Sequence, residues 1–129
     1  MIKIMLVDDE SSVRTGLRMC LELEPDLTIV GEANNGIEAV ELAQTLKPDV
    51  MIMDVEMPEL DGITTTARLR KVVPNVSIVV LSIHTDTHTQ AQALAAGAAA
   101  FVEKQGSVAQ LLTAIRRTVH GSRECRRES

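Results

Sequence analysis

Five short strand-like runs recur along this chain, at 2–7, 27–32, 50–53, 76–81 and 99–102, and all but the second, which holds Thr28 and Glu32, are almost wholly apolar. Between them, apolar residues return every three or four positions, as on one face of a helix. A strand without a polar side has no face for solvent. That is the pattern of a parallel sheet with helices on both faces. Val13, Leu17, Cys20 and Leu21 mark a first helix, and Ile37, Val40, Ala43 and Leu46 a second. A third is expected over 63–72, its apolar face blurred by Thr64, Thr65 and Thr66. A fourth, rich in alanine, is expected over 88–96 and ends near Gly97. The fifth carries Val108, Leu111, Leu112, Ile115 and Val119, with Gly121 as its expected stop. Pro25-Asp26, Asn34-Asn35-Gly36, Lys47-Pro48 and Pro74-Asn75 separate the units. The expected fold is α/β, a doubly wound sheet of five parallel strands in the order 2-1-3-4-5, with five helices.

In such a sheet, ligands bind beyond the carboxyl ends of the strands. The residues there are Asp8 and Asp9 after the first run, Asp54 after the third, Ser82 after the fourth and Lys104 after the fifth. The second run ends near Glu32 at the sheet's edge and adds nothing evident. Three carboxylates on one rim repel one another and call for a cation. Hard oxygen ligands with open positions suit Mg²⁺ or Mn²⁺. An ammonium and a hydroxyl are then free to serve a phosphoryl group. Asp54, central among the strands, is the best candidate nucleophile. Taken singly, each residue has a plainer role: Asp8 and Asp9 as helix caps, Asp54 as a loop cap, Ser82 and Lys104 as ordinary strand-end residues. Only their joint placement is specific.

Composition narrows the partners. At 129 residues, with 45% hydrophobic and 24% charged, the chain suits one folded domain. A formal charge of −5 disfavours direct binding of nucleic acid or anionic membrane. Phe101 is the single aromatic residue, so there is no stacking platform for bases. Cys20 and Cys125 have no metal-ligand spacing and read as reduced thiols of a cytoplasmic protein. No signal peptide and no membrane span are expected.

These motifs resemble the receiver domain of bacterial two-component response regulators. The resemblance rests on Leu6-Val7-Asp8-Asp9-Glu10, on 49–58 with Asp61-Gly62, on Val80-Leu81-Ser82, and on Ala96-Gly97-Ala98 followed by Phe101-Val102-Glu103-Lys104. It implies a flavodoxin-like fold over about 1–120. It also implies that Asp54 accepts a phosphoryl group from a phosphohistidine on a sensor histidine kinase, with Mg²⁺. Asp9, Asp54 and the backbone carbonyl of Glu56 would ligate the metal, with Asp8 acting through a water. Lys104 and Ser82 would hold the phosphoryl oxygens. Ser82, drawn toward the modified Asp54, would let Phe101 turn inward and alter the surface from the fourth helix to the fifth.

The chain departs from that pattern at Gln105, which stands where proline often follows the lysine. A cis bond without proline costs about 3 kcal/mol, so a trans peptide is expected. Serine at 82 replaces the commoner threonine. Glu56 and His84, each two residues past a site residue, are expected to set phosphate lifetime. His88 and His120 read as solvated surface. The end of the fifth helix is similar to that of NarL/LuxR-type regulators, in which a linker leads to a helix-turn-helix domain. Residues 121–129, with Arg123, Arg126 and Arg127, then read as a tail or the start of such a linker. DNA binding would belong to an output domain absent from this chain, and phosphorylation could drive homodimer formation. The alternatives are a stand-alone receiver acting by protein contact, a small aspartyl-phosphate phosphatase or phosphotransferase, and a flavodoxin-like cofactor binder. The last lacks a glycine-rich phosphate loop. The phosphatase lacks a cap segment, so no turnover on external substrate is expected.

Overall fold

A computed structural model of the chain describes residues 1–55, 61–83 and 86–128, with side chains described as far as residue 119. The described residues form β1 (Ile2–Val7), α1 (Ser11–Leu21), β2 (Leu27–Ala33), α2 (Gly36–Leu46), β3 (Val50–Asp54), α3 (Gly62–Val72), β4 (Ser77–Ser82), α4 (Thr87–Ala95), β5 (Ala100–Glu103) and α5 (Val108–Glu128). The strands pair in parallel, in the expected order β2-β1-β3-β4-β5.

β3 and β4 are buried at every position, which is why their sequences carry no polar alternation. Successive side chains still point to opposite faces, and this divides the core in two. On one face Met5, Val7, Met51, Met53, Ile78 and Val80 pack with Ala39 and Ala43 of α2, Leu69 of α3 and Ala93 of α4. On the other Ile4, Leu6, Val50, Ile52, Val79 and Leu81 pack with Leu21 of α1 and Leu111, Ile115 and Val119 of α5.

Three local outcomes differ from the sequence pattern. In α2 the buried residues are Gly36, Ala39 and Ala43, while Ile37 is 49% exposed. Small residues let the helix sit close to its neighbours, so the stripe is rotated from the one that the larger residues suggested. In α3 the blurring threonines are accommodated, because buried Thr65 and Thr66 donate their hydroxyls to the carbonyls of Asp61 (2.8 Å) and Gly62 (2.7 Å), one turn back. Finally, α5 does not stop at Gly121 but runs on to Glu128. One glycine inside a helix costs only about 1 kcal/mol and does not by itself end it. No peptide bond among the described residues is cis, the one between Lys104 and Gln105 included.

Candidate phosphoryl and metal site

The carboxyl ends of β1, β3, β4 and β5 are held level by register. Val7 pairs with Met53, Asp54 with Leu81, and Ser82 with Glu103. Two backbone bonds continue the alignment past the strands: Val55 N–H to the Leu81 carbonyl (3.1 Å) and Lys104 N–H to the Ser82 carbonyl (2.8 Å). Parallel pairing therefore brings together residues that are far apart in the chain.

At their meeting point lies a buried ion cluster. Asp8, Asp54 and Ser82 are 1%, 2% and 0% exposed. The Lys104 ammonium reaches both carboxylates, 3.1 Å from Asp8 Oδ2 and 3.2 Å from Asp54 Oδ2. Burial alone would lower the pKa of this lysine. The hydrogen bond and charge of Asp8, with the charge and hydrogen bond of Asp54, outweigh burial and raise it. The ammonium therefore stays charged at neutral pH. The strand-end pattern assigns this ammonium to an incoming anion, whereas in the fold it neutralises the aspartates. Buried carboxylates need an opposite charge, and Lys104 supplies one to both.

Neither aspartate of the first pair caps α1. The N-cap is Glu10, which makes no side-chain cap bond. Asp8 Oδ1 instead accepts from Glu10 N–H at 2.9 Å, which closes the β1–α1 turn. Asp8 Oδ2 is buried, and among the described residues its one partner is the Lys104 ammonium. Asp9 is exposed, and one carboxylate oxygen from each of Asp8, Asp9 and Glu10 lies within 4.8 Å of the others. An under-satisfied buried oxygen beside two exposed carboxylates is a fitting donor set for a hard divalent cation. Glu10 was not singled out by the sequence reading. Glu56, expected to lend its backbone carbonyl, and His84 lie outside the described residues.

Asp61-Gly62 shapes the site from below. Asp61 caps α3 by accepting from Thr64 N–H at 2.8 Å. Gly62 N–H donates to the Val55 carbonyl at 3.0 Å. A Cβ on Gly62 would stand 2.3 Å from the Asp54 carbonyl oxygen, so only glycine lets α3 begin so close to the strand that bears Asp54.

Phe101 is half-buried. It packs against the core on the α4 side and lines a groove of about 1000 Å³. The groove runs along β5 and α5, where Arg70 and Arg117 also line it.

β2, which seemed to add nothing, takes part indirectly. Arg14 of α1 donates through Nη1 to the Asp8 backbone carbonyl and through Nε to Glu32 Oε1 at 3.2 Å. Glu32 also pairs with Arg18, which raises the pKa of that guanidinium. The sequence signal for Arg14 was its place one turn after the acidic run.

Comparison with known proteins agrees with this fold. The family model described as the response regulator receiver domain matches residues 4–116. The chain is 37% identical over 121 residues to the transcriptional regulatory protein LiaR of Bacillus subtilis, covering 94% of the chain and 57% of LiaR. It is 36% identical over 118 residues to the nitrate/nitrite response regulator protein NarL of Escherichia coli, covering 92% of the chain and 55% of NarL. The chain thus spans little more than half the length of these relatives. A crystal structure of a two-component response regulator of the LuxR family from Aurantimonas superposes with a TM-score of 0.89 at 34% identity, covering 92% of this chain and 85% of that one.

Proposed function

The chain belongs to the response regulator receiver domain family, with LuxR/NarL-type regulators among its relatives, and on that premise we propose that it is a phosphorylation switch whose acceptor is Asp54. The observation that carries the reading is Lys104 bridging the buried Asp8 and Asp54 at one end of the sheet.

The donor is a phosphohistidine on a sensor histidine kinase. A carboxylate oxygen of Asp54 attacks phosphorus, the P–N bond breaks and the imidazole leaves, so Asp54 becomes an acyl phosphate. Water later cleaves it to inorganic phosphate and restores the carboxylate. Asp9, Asp54 and the Glu56 carbonyl, with Asp8 through water, would hold Mg²⁺ or Mn²⁺. When bound, that ion would supply positive charge to offset the negative charge that builds up during transfer. Lys104, in contact with Asp54, would follow a phosphoryl oxygen, and Ser82 would donate to another. Glu56 and His84 set the lifetime of the modified state, and substitution at either should change the phosphate half-life.

The added charge draws Ser82. Phe101 lies on β5, opposite Val80 of β4, the strand that ends in Ser82. Its inward turn would reshape the α4–β5–α5 surface. The effect is a population shift, bounded by how much better the phosphoryl contacts fit one state than the other. Residues 1–120 form the receiver, and 121–129 lead toward a DNA-binding output domain in a longer cytoplasmic transcription regulator. Phosphorylation favours a homodimer.

Incubation with Mg²⁺ and acetyl phosphate tests the acceptor. A single labile mass gain of about 80 Da, one phosphoryl group, is expected, and Asp54→Asn should abolish it. An adduct that persists in that variant would overturn the assignment.

A further inference from the structure

We propose that Arg14 is a positioning residue for the acidic turn between β1 and α1, and that Glu32 on β2 anchors it. The inference rests on the reading that this turn binds a divalent cation.

Arg14 stands on the first turns of α1, with its side chain 12% exposed. Its Nη1 donates to the backbone carbonyl of Asp8, while its Nε is held by Glu32 Oε1 at 3.2 Å. One planar guanidinium therefore bridges the turn to the edge strand. A carbonyl held in this way sets the plane of the Asp8–Asp9 peptide, and with it the direction in which Asp9 leaves the chain. Glu10 N–H to Asp8 Oδ1 at 2.9 Å is local and spans two residues, and the backbone bond from Asp8 N–H to the Ala33 carbonyl at 3.2 Å fixes the peptide before Asp8, not the one after it. Arg14 adds a long-range tie to β2, itself fixed beside β1 by the pairing of Leu6 with Glu32 and Val7 with Ala33.

A charge effect is the competing explanation, and it has the opposite sign. A cation beside clustered carboxylates eases their repulsion and opposes the entry of a second cation, so its removal would tighten Mg²⁺ binding. The contacts argue against that role. Arg14 touches the carbonyl of Asp8 rather than its carboxylate. Its charge is met by Glu32, which also pairs with Arg18, and Arg18 pairs in turn with Glu22. Two guanidiniums and two carboxylates form a neutral set, which leaves geometry as the main effect on the turn. Groups that orient a metal's ligands commonly change affinity by tenfold or more.

The test compares the wild type with Arg14→Met, Arg14→Lys and Glu32→Gln by two readouts. The first is Mg²⁺ affinity, followed by titration of backbone amide signals. The second is hydrogen exchange of the Asp9 and Glu10 amides without metal. Arg14→Met should weaken Mg²⁺ binding about tenfold and speed exchange at Glu10, while exchange in β3 and β4 stays unchanged. Arg14→Lys, which can reach the carbonyl or Glu32 but not both, should recover part of each effect. Glu32→Gln should fall between wild type and Arg14→Met. Unchanged or tighter Mg²⁺ binding in Arg14→Met overturns the proposal, as does exchange that rises uniformly through the sheet. A wild type that binds no Mg²⁺ while Arg14→Met still loosens Glu10 alone would remove the cation reading and leave the turn-holding role in place. Normal Mg²⁺ binding in the wild type with no local loosening in the variant would do the reverse.

Discussion

Lys104 carries the heaviest electrostatic duty of any single side chain in the site. Asp8 and Asp54 are almost wholly buried, and each places an oxygen near its ammonium. Removing one partner of a buried pair leaves the other charge uncompensated, at about 3–5 kcal/mol. Lys104→Met should therefore lower the unfolding free energy by about 3 kcal/mol in metal-free buffer. Millimolar Mg²⁺ should restore part of it, because the cation supplies the missing charge. Urea denaturation with and without Mg²⁺ measures both effects, and equal loss in the two buffers would contradict the account. The sign with pH follows from the raised pKa. The stabilisation is complete below the ordinary lysine value and is lost as pH rises through the higher folded-state one. The gap between wild type and Lys104→Met should thus hold steady up to about pH 10 and narrow only above it.

Among the elements, α3 and α4 differ in how firmly they are held. α3 buries Gly62, Thr65, Thr66 and Leu69, and its start is locked by Asp61 and by the close approach of Gly62 to Asp54. Loss of the Asp61 cap in Asp61→Ala should cost about 1 kcal/mol. Gly62→Ala forces a Cβ against the Asp54 carbonyl and should cost about 1–3 kcal/mol. It should also slow Asp54 modification, which Asp61→Ala should leave nearly unchanged. Acetyl phosphate labelling rates beside melting curves separate the two. α4 by contrast buries Ala93 alone, and Leu94 is 46% exposed. A helix tied down by one small side chain has little local stability. Its amides should exchange faster than those of α3 in the unmodified protein. Equal protection would argue against α4 as the yielding part of the switch.

Across the whole molecule, one sheet separates two apolar layers that share no side chains. Leu69 belongs to one and Ile115 to the other, and both are fully buried. Each replacement by alanine should cost about 2–5 kcal/mol. The double variant should lose the sum to within about 0.5 kcal/mol, because the two sites share no neighbour. A larger discrepancy in denaturation midpoints would mean that strain crosses the sheet. No helix among the described residues is long and apolar enough to span a membrane, in keeping with the polar outer faces of α1, α3 and α4.

The order of strands and helices, and the carboxylates, hydroxyl and ammonium at the strand ends, were legible in the chain itself. Burial on both faces strips strands of polar residues, and ligand sites of such sheets fall where the strands end. The family pattern of Asp8, Asp9, Asp54, Ser82 and Lys104 could be read the same way. Tertiary structure alone decided who pairs with whom. Local pattern records burial, whereas pairing depends on which atoms distant segments bring within reach. So Lys104 was visible as a cation but not as the counterion of two buried aspartates. Glu32 looked idle until the fold set it against Arg14. Ile37 was marked for the core by its hydrophobicity and is half exposed, because Ala39 and Ala43 allow closer packing. Gly121 had the chemistry of a stop, yet the helix continues, since a glycine permits a turn without imposing one.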